Sequence, residues 1–178
     1  MEYLDIVDEN NHLTGKKAER EYIHKNGIWH REVSVWIINM EGELLLQKRA
    51  ANKKEKPNQW STCDGHIDAG ETIGNSVIRE LKEELGFETA IDNLELMWVE
   101  KVKNESPKGR KNYHFKYIYF LKTDWKTEDY KIQIEELSEV KYITFEELKV
   151  IIETGDPNVT FSKQEYVYRL IEELGKRI

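Results

Sequence analysis

Glu80, Glu83 and Glu84 fall within one and a half helical turns, with Arg79 beside them, in the stretch GHIDAGETIGNSVIRELKEELGF from Gly65 to Phe87. On a helix, positions i, i+3 and i+4 share a face, so these three carboxylates crowd together. They repel one another unless cations compensate. Arg79 alone cannot neutralise three acids, and Lys82 does not share their face. Hard divalent cations with oxygen ligands would, and Mg2+ in particular favours carboxylates combined with substrate phosphates. The bland alternative is a solvated helix face that happens to be rich in glutamate.

The surrounding frame separates the two readings. Gly65 is followed by Glu71, then by Arg79, Glu80, Leu81, Glu83, Glu84, Gly86 and Phe87. This resembles the complete Nudix box: glycine, five residues, glutamate, seven residues, Arg-Glu-aliphatic-any-Glu-Glu-any-Gly-aliphatic, here with an aromatic at the last position. Seven such residues coincide by accident on the order of once in 10⁷–10⁸ trials, so the spacing is not accidental. The resemblance implies a Nudix fold, an α+β (α/β/α) arrangement with a mixed sheet between helices. It also implies hydrolysis of a diphosphate linked to another moiety, with Mg2+ or, as a substitute, Mn2+. By position, Glu80, Glu83 and Glu84 match the metal-binding carboxylates, Arg79 and Glu71 a pair that braces the loop–helix–loop, and Gly65 and Gly86 backbone-shaping positions. One carboxylate must take the proton of the attacking water. Glu80 matches the helix candidate, and Glu135, Glu136 and Glu139 are the suppliers available on a later loop.

A second resemblance covers more of the chain. DIVDENNHLTGKKAERE, IHKNGIWHREVSVWIIN, LLLQKRAANKKEKPNQW, the GH pair at 65–66 and PNVTFS at 157–162 are similar to isopentenyl-diphosphate isomerase, which shares the Nudix fold. That enzyme needs a cysteine directly before the GH pair, a glutamate on a later strand and a histidine-rich metal site. Here Asp64 precedes Gly65 and Cys63 lies one residue earlier, while Asn112 and His114 occupy the later positions. His30 and His66 fit the isomerase pattern and His24 is one residue out of step. His30 and His66 are read as hydrogen-bonded structural residues, outside the metal site. Arg49 and Lys53 match positions that bind the diphosphate, and Arg20 matches a third basic one. The chain therefore reads as an isomerase-like Nudix pyrophosphohydrolase with an intact box. Its rivals are the isomerase itself and a non-catalytic module that binds phosphometabolites.

The elements that must position these groups are legible from pattern. Residues 32–40 (EVSVWIINM) and 44–49 (LLLQKR) read as a strand hairpin, followed by the irregular ANKKEKPNQW, in which Pro57 and Asn58 exclude regular structure. Thr72 is a plausible N-cap for a helix to Leu85, with Gly86 as the left-handed residue after it and Phe87 packing back. Ile73, Val77, Leu81 and Leu85 form the apolar stripe of that helix. Strands are expected near 94–103, 112–122 and 138–145, with a loop marked by Pro107. Helices are expected over FEELKVIIE and over SKQEYVYRLIEELGK, the latter with apolar spacing at Val167, Leu170, Ile171 and Leu174.

Bulk properties set the class. With 178 residues, 39% hydrophobic and 34% charged, the chain suits one domain spanning 1–178, with the box at 65–87. A net charge of −7 argues against stable nucleic-acid binding. No apolar run approaches the length of a membrane span, and the acidic start lacks a signal-peptide layout. Cys63, the single cysteine, fits a reducing cytoplasm. The expected partner is a phosphorylated small molecule, with nucleoside di- and triphosphates leading and nucleoside-diphosphate derivatives next. Trp29, Trp98, Tyr113, Tyr117 and Tyr119 are candidates to stack on a base, against a core role; the basic stretch 101–111 could close over phosphates or be solvated. A homodimer accords with the family resemblance.

Overall fold

The computed structural model describes residues 2–106, 108–162 and 164–178. Pro107, which marked the expected loop, and Lys163, in the expected last helix, lie outside the described residues.

The sheet is mixed, as expected. Strand β3 (His30–Ile38) runs parallel to β8 (Lys111–Lys122), which pairs antiparallel with β7 (Leu94–Glu105). On the other side β3 meets β4 (Leu44–Arg49) only at Ile38 and Leu44, so the hairpin opens at once. The gap is filled by β6 (Cys63–His66), which pairs with residues 32–35 of β3, while β4 turns to β5 (Trp60–Ser61) and β9 (Leu137–Ile143). That divergence opens the central sheet beside the GH pair.

Alternation along β3 sends Val33, Val35 and Ile37 to one face and Trp36 and Ile38 to the other. The first face carries α2 (Ile73–Leu85), through the fully buried Val77, Leu81 and Leu85. Each such side chain contributes roughly 1.5–3 kcal/mol on burial. The second face carries α3 (Phe145–Thr154) and α4 (Val167–Gly175), through Leu148, Ile152, Val167, Leu170 and Leu174. Helix α4 is shorter than its expected span.

Pattern did not anticipate the first hairpin, the short helix after it or strands β5 and β6. The hairpin of β1 (Tyr3–Val7) and β2 (Leu13–Glu19) is a separate two-stranded sheet whose second strand is polar and largely exposed. Helix α1 (Arg20–Asn26) has seven residues, too few for a period to emerge. Strand β6 contains glycine and aspartate, and it is a strand because β3 offers it a partner edge. Among the described residues no helix is long and apolar enough to cross a membrane.

Candidate active site

Helix α2 begins and ends as its sequence dictates. The Thr72 hydroxyl accepts a hydrogen bond from the Asn75 amide at 3.2 Å, and Gly86 takes φ +65°. A side chain at Gly86 would also meet Lys131, its Cβ 2.8 Å away. With Val77, Leu81 and Leu85 against the sheet, the neighbouring carboxylates are graded in depth. Glu84 is buried, Glu80 is half-buried and Glu83 is exposed.

Burial, followed by the neighbouring Glu80 charge, pushes the Glu84 carboxyl up to about 8. Burial likewise lifts Glu80 to about 7, against the opposing pull of Arg79. Two enclosed carboxyl groups that hold protons near neutral pH are oxygen ligands short of a cation. A hard divalent ion displaces those protons on binding, so the donor set fits Mg2+ or Mn2+.

Four surrounding residues fix the carboxylates. The Gln47 side-chain amide, from β4, donates to Glu84 Oε2 at 2.6 Å, both groups being buried. Arg79 donates from Nε to Glu71 Oε1 at 3.1 Å and from Nη2 to the His66 carbonyl at 3.0 Å. Its Nη1 reaches Glu80 Oε1 at 2.7 Å and Glu83 Oε2 at 3.2 Å. Burial disfavours the Arg79 charge, but Glu71 and Glu80 outweigh it and hold the guanidinium above its ordinary pKa. Glu71 also accepts a short hydrogen bond from Ser76. The fourth residue is Gly65: a Cβ there would overlap the Glu80 carboxyl group. Sequence reading identified Gly65, Glu71 and Arg79 but passed over Gln47. Its signal was a lone amide inside an apolar strand.

The carboxylates line a cavity of about 340 Å³ together with Arg20, Arg49 and Lys53. Of the three loop glutamates, Glu136 joins this cavity and forms a short ion pair with Lys53. Glu135 lines the outer mouth of the cleft. Glu139 stands on β9, paired with Lys48 at 3.6 Å, and takes no part. Arg20 pairs with Glu2 at 2.8 Å.

A second cavity of about 350 Å³ continues inward and shares Arg20, Arg49, Asp64 and His66 with the first. Sheet register explains its contents. Glu32 of β3 lies between His66 of β6 and Lys116 of β8, and His30 lies beside His114. Glu32 Oε1 is 3.2 Å from His66 Nε2, and its Oε2 is 3.3 Å from His114 Nε2 and 3.6 Å from Lys116 Nζ. His24 joins from α1, with Nε2 3.0 Å from His66 Nε2. Gly27, left-handed at φ +65°, ends α1 and turns the chain back into β3. Donor atoms of His24, His30, Glu32 and His66 all lie within 4.8 Å of one another. Burial lowers His24 to about 3 and depresses His66, which leaves neutral imidazoles suited to a metal. The buried His30 Nε2 has no hydrogen-bond partner among the described residues.

Strand alternation in β6 separates Cys63 from Asp64. Cys63 is buried in the core, its thiol pushed up by burial and then by Glu84 and Glu80, while Asp64 lines the cleft 3.6 Å from Lys116 Nζ. The expected stacking aromatics are placed otherwise. Trp29, Trp98, Tyr117 and Tyr119 are core residues, and Tyr113 packs against the cluster that holds Trp29, Tyr117 and Tyr119; none lines either cavity. Of the basic stretch 101–111, residues 101–105 and Lys111 are strand, and Lys101 and Lys103 lie over the Trp29 and Tyr113 rings. Arg110 reaches the cleft and pairs with Glu21 at 3.2 Å.

Comparison with known proteins accords with this geometry. Nudix hydrolase 3 of Arabidopsis thaliana is 34% identical over 161 residues, which are 88% of this chain and 21% of that protein. An uncharacterised Nudix hydrolase of Clostridium acetobutylicum is 36% identical, over 83% of this chain and 72% of that one. An isopentenyl-diphosphate Delta-isomerase of Photorhabdus laumondii is 28% identical over 85% of this chain and 82% of that one. A crystal structure from Deinococcus radiodurans shares the fold, with TM-score 0.69 and 24% identity over 97% of this chain and 99% of that one. The family profile described as NUDIX domain matches residues 28–164. The helix of carboxylates lies inside that match, and the chain belongs to the Nudix family, among its hydrolases.

Proposed function

We propose that this pyrophosphohydrolase cleaves the diphosphate linkage of a nucleoside di- or triphosphate, or of a nucleoside-diphosphate derivative, by attack of water at phosphorus. Mg2+, or Mn2+ in its place, is held by Glu80, Glu83 and Glu84. The observation that carries this reading is the enclosure of Glu80 and Glu84, raised to about 7 and about 8, in one cavity with Arg20, Arg49 and Lys53.

When bound, the metal supplies a water of lowered pKa and neutralises charge on the phosphate oxygens. The chain's own residues do the rest. Gln47 and Arg79 fix Glu84 and Glu80, and Gly65 leaves the space that the Glu80 carboxyl fills. Arg49 and Lys53, which line the same cavity, orient the diphosphate. Glu80 or Glu136, both lining the cavity, would take the proton of the attacking water.

The isomerase alternative has a relative and a histidine cluster on its side but is not better supported. The thiol it would use is buried in the core, and Asp64 occupies the cleft position. The imidazoles of His24, His30 and His66 with Glu32 offer a donor set suited to a second ion of borderline softness, such as Zn2+. Metal analysis of the purified chain beside a His24→Ala, His66→Ala variant tests that site; equal zinc content in both would exclude it.

The hydrolytic reading is tested by a panel of nucleoside diphosphate derivatives with Mg2+, reading phosphate, pyrophosphate or nucleotide release, with isopentenyl diphosphate included. A Glu83→Gln, Glu84→Gln double variant should stay folded and lose Mg2+-dependent turnover. Retained turnover in that folded variant refutes the assignment, conversion of isopentenyl diphosphate to its allylic isomer supports the rival, and binding without release supports a non-catalytic module.

A further inference from the structure

The inner cavity is walled largely by groups that recognise charge, yet it lies beyond the carboxylates. Its cations differ in how they are satisfied. Arg20 faces Glu2, Arg110 faces Glu21, and Lys116 lies 3.6 Å from both Glu32 and Asp64. Lys53, on the outer rim, is paired with Glu136. Arg49 and Lys56 have no carboxylate within ion-pair distance among the described residues. Each is held by a backbone carbonyl instead: Arg49 Nε donates to Glu55 O at 3.3 Å and Lys56 Nζ donates to Thr160 O at 3.0 Å.

Arg49 borders both cavities, whereas Lys56 borders the inner one alone. Lys56 reaches it from a strained position, at φ +50°, a conformation that side-chain-bearing residues rarely adopt, followed two residues later by Asn58 at φ +60°. Solvent reaches the Lys56 side chain, but the walls around it lower its pKa by desolvation, and Lys116 and Arg49 lower it further, against the opposing pull of Asp64 and Glu32. Glu32, Glu55 and Asp64 also line this space, but none lies within ion-pair distance of Arg49 or Lys56, and an anion bound between those two cations would compensate their like charge. The amides of Asn104, Asn112 and Gln164 line the same space. Its aromatic residues, Phe161 and Tyr166, are 2% and 6% exposed, too covered to offer a face for stacking a base.

We infer that the inner cavity is a second anion subsite, and that the substrate is a diphosphate bearing a separate phosphate or carboxylate away from the scissile linkage, recognised by Lys56 with Arg49 between the two sites. The substrate part of this inference rests on the hydrolytic reading above; the anion subsite does not. The diphosphate lies across Arg49 and Lys53 at the carboxylate cavity, and Lys56 distinguishes substrates by what their far end carries.

Two measurements test it. In the first, inorganic phosphate is titrated into the full chain without added Mg2+, reading amide chemical shifts. Phosphate should move Lys56, Thr160 and Gln164, and Lys56→Met, checked for an unchanged melting temperature, should weaken that binding about tenfold, the worth of one charge-assisted hydrogen bond. Shifts confined to Gly65 and Glu80, no shifts, or equal affinity in folded Lys56→Met would overturn the subsite. If Lys56→Met does not fold, Lys56→Arg, which keeps the charge, should retain the binding, and its loss there would overturn the assignment to charge.

In the second, substrates are compared in pairs: NADH with NADPH for a phosphate, UDP-glucose with UDP-glucuronate for a carboxylate. The anion-bearing member of one pair should be favoured about tenfold in kcat/KM, and Lys56→Met should level that pair. Level pairs in the unaltered enzyme would refute the substrate class. Failure of the hydrolytic reading looks different: no probe is cleaved, and probe binding then decides the preference while the phosphate titration still reports on Lys56.

Discussion

Replacing Glu80 with glutamine in the metal-free protein should flatten its dependence of stability on pH. Burial raises the Glu80 carboxyl from 4.5 to about 7, so the folded chain holds this proton more tightly than the unfolded chain does. The stabilising contribution is therefore fully present below about pH 4.5 and is lost as the pH rises through about 7. A shift of that size corresponds to roughly 3 kcal/mol, a large part of the stability of an ordinary domain. Glu84, raised to about 8 by burial and by Glu80, adds a loss of the same sign. Glutamine keeps an oxygen to accept from Arg79 but carries no titrating proton, and it removes the like charge that raises Glu84. Urea denaturation at pH 5 and pH 8 measures the effect: the unaltered chain should lose stability across this interval, and Glu80→Gln should lose less, by about 2 kcal/mol or more. Saturating Mg2+ should restore the unaltered chain at pH 8, by about 2.7 kcal/mol at one hundred times its dissociation constant, and restore the variant much less. Identical pH slopes in the two proteins, or indifference of the unaltered chain to Mg2+, would refute the reasoning.

Other perturbations act on the same assembly from different sides. Gly65→Ala should displace the Glu80 carboxyl and weaken Mn2+ binding in a calorimetric titration, while cleft mutations remote from Glu80 leave it unchanged. Gln47→Leu removes the amide that orients Glu84, and Mn2+ affinity should fall about 10- to 100-fold, the usual worth of a residue that holds a metal ligand. Glu80→Gln and Glu136→Gln separate the candidate bases: the variant that lowers kcat while leaving Mn2+ affinity intact identifies the proton acceptor, and a variant that lowers both marks a ligand.

How far the molecule could be read beforehand follows from how local each cause is. Helix α2 was legible to the residue because its signals sit within it: Thr72 caps, Leu81 and Leu85 pack, and Gly86 supplies the left-handed turn. The mixed sheet between helices was legible from the Nudix box and from alternation in strands such as EVSVWIINM. Strand β6 was not, since CDGH has no strand character until β3 lies beside it. The cluster around Glu32 was hidden for the same reason. His66 of β6 and the pair His114 and Lys116 of β8 meet Glu32 through the β3–β6 and β3–β8 registers, and His24 joins from α1. His24 looked one residue out of step with the isomerase pattern, yet Gly27 lets the chain turn and deliver it. Gln47 and Lys56 carried no pattern of their own. One matters through its contact with Glu84, the other through the charges it lacks.

The central claim is that Glu80, Glu83 and Glu84 jointly hold divalent cations at a diphosphate. Anomalous diffraction from a crystal soaked in Mn2+ tests it most directly. An anomalous peak should stand between these carboxylates and disappear in the Glu83→Gln, Glu84→Gln variant. Ordered carboxylates with no peak between them, in a crystal of protein that still hydrolyses its substrate with Mn2+, would contradict it.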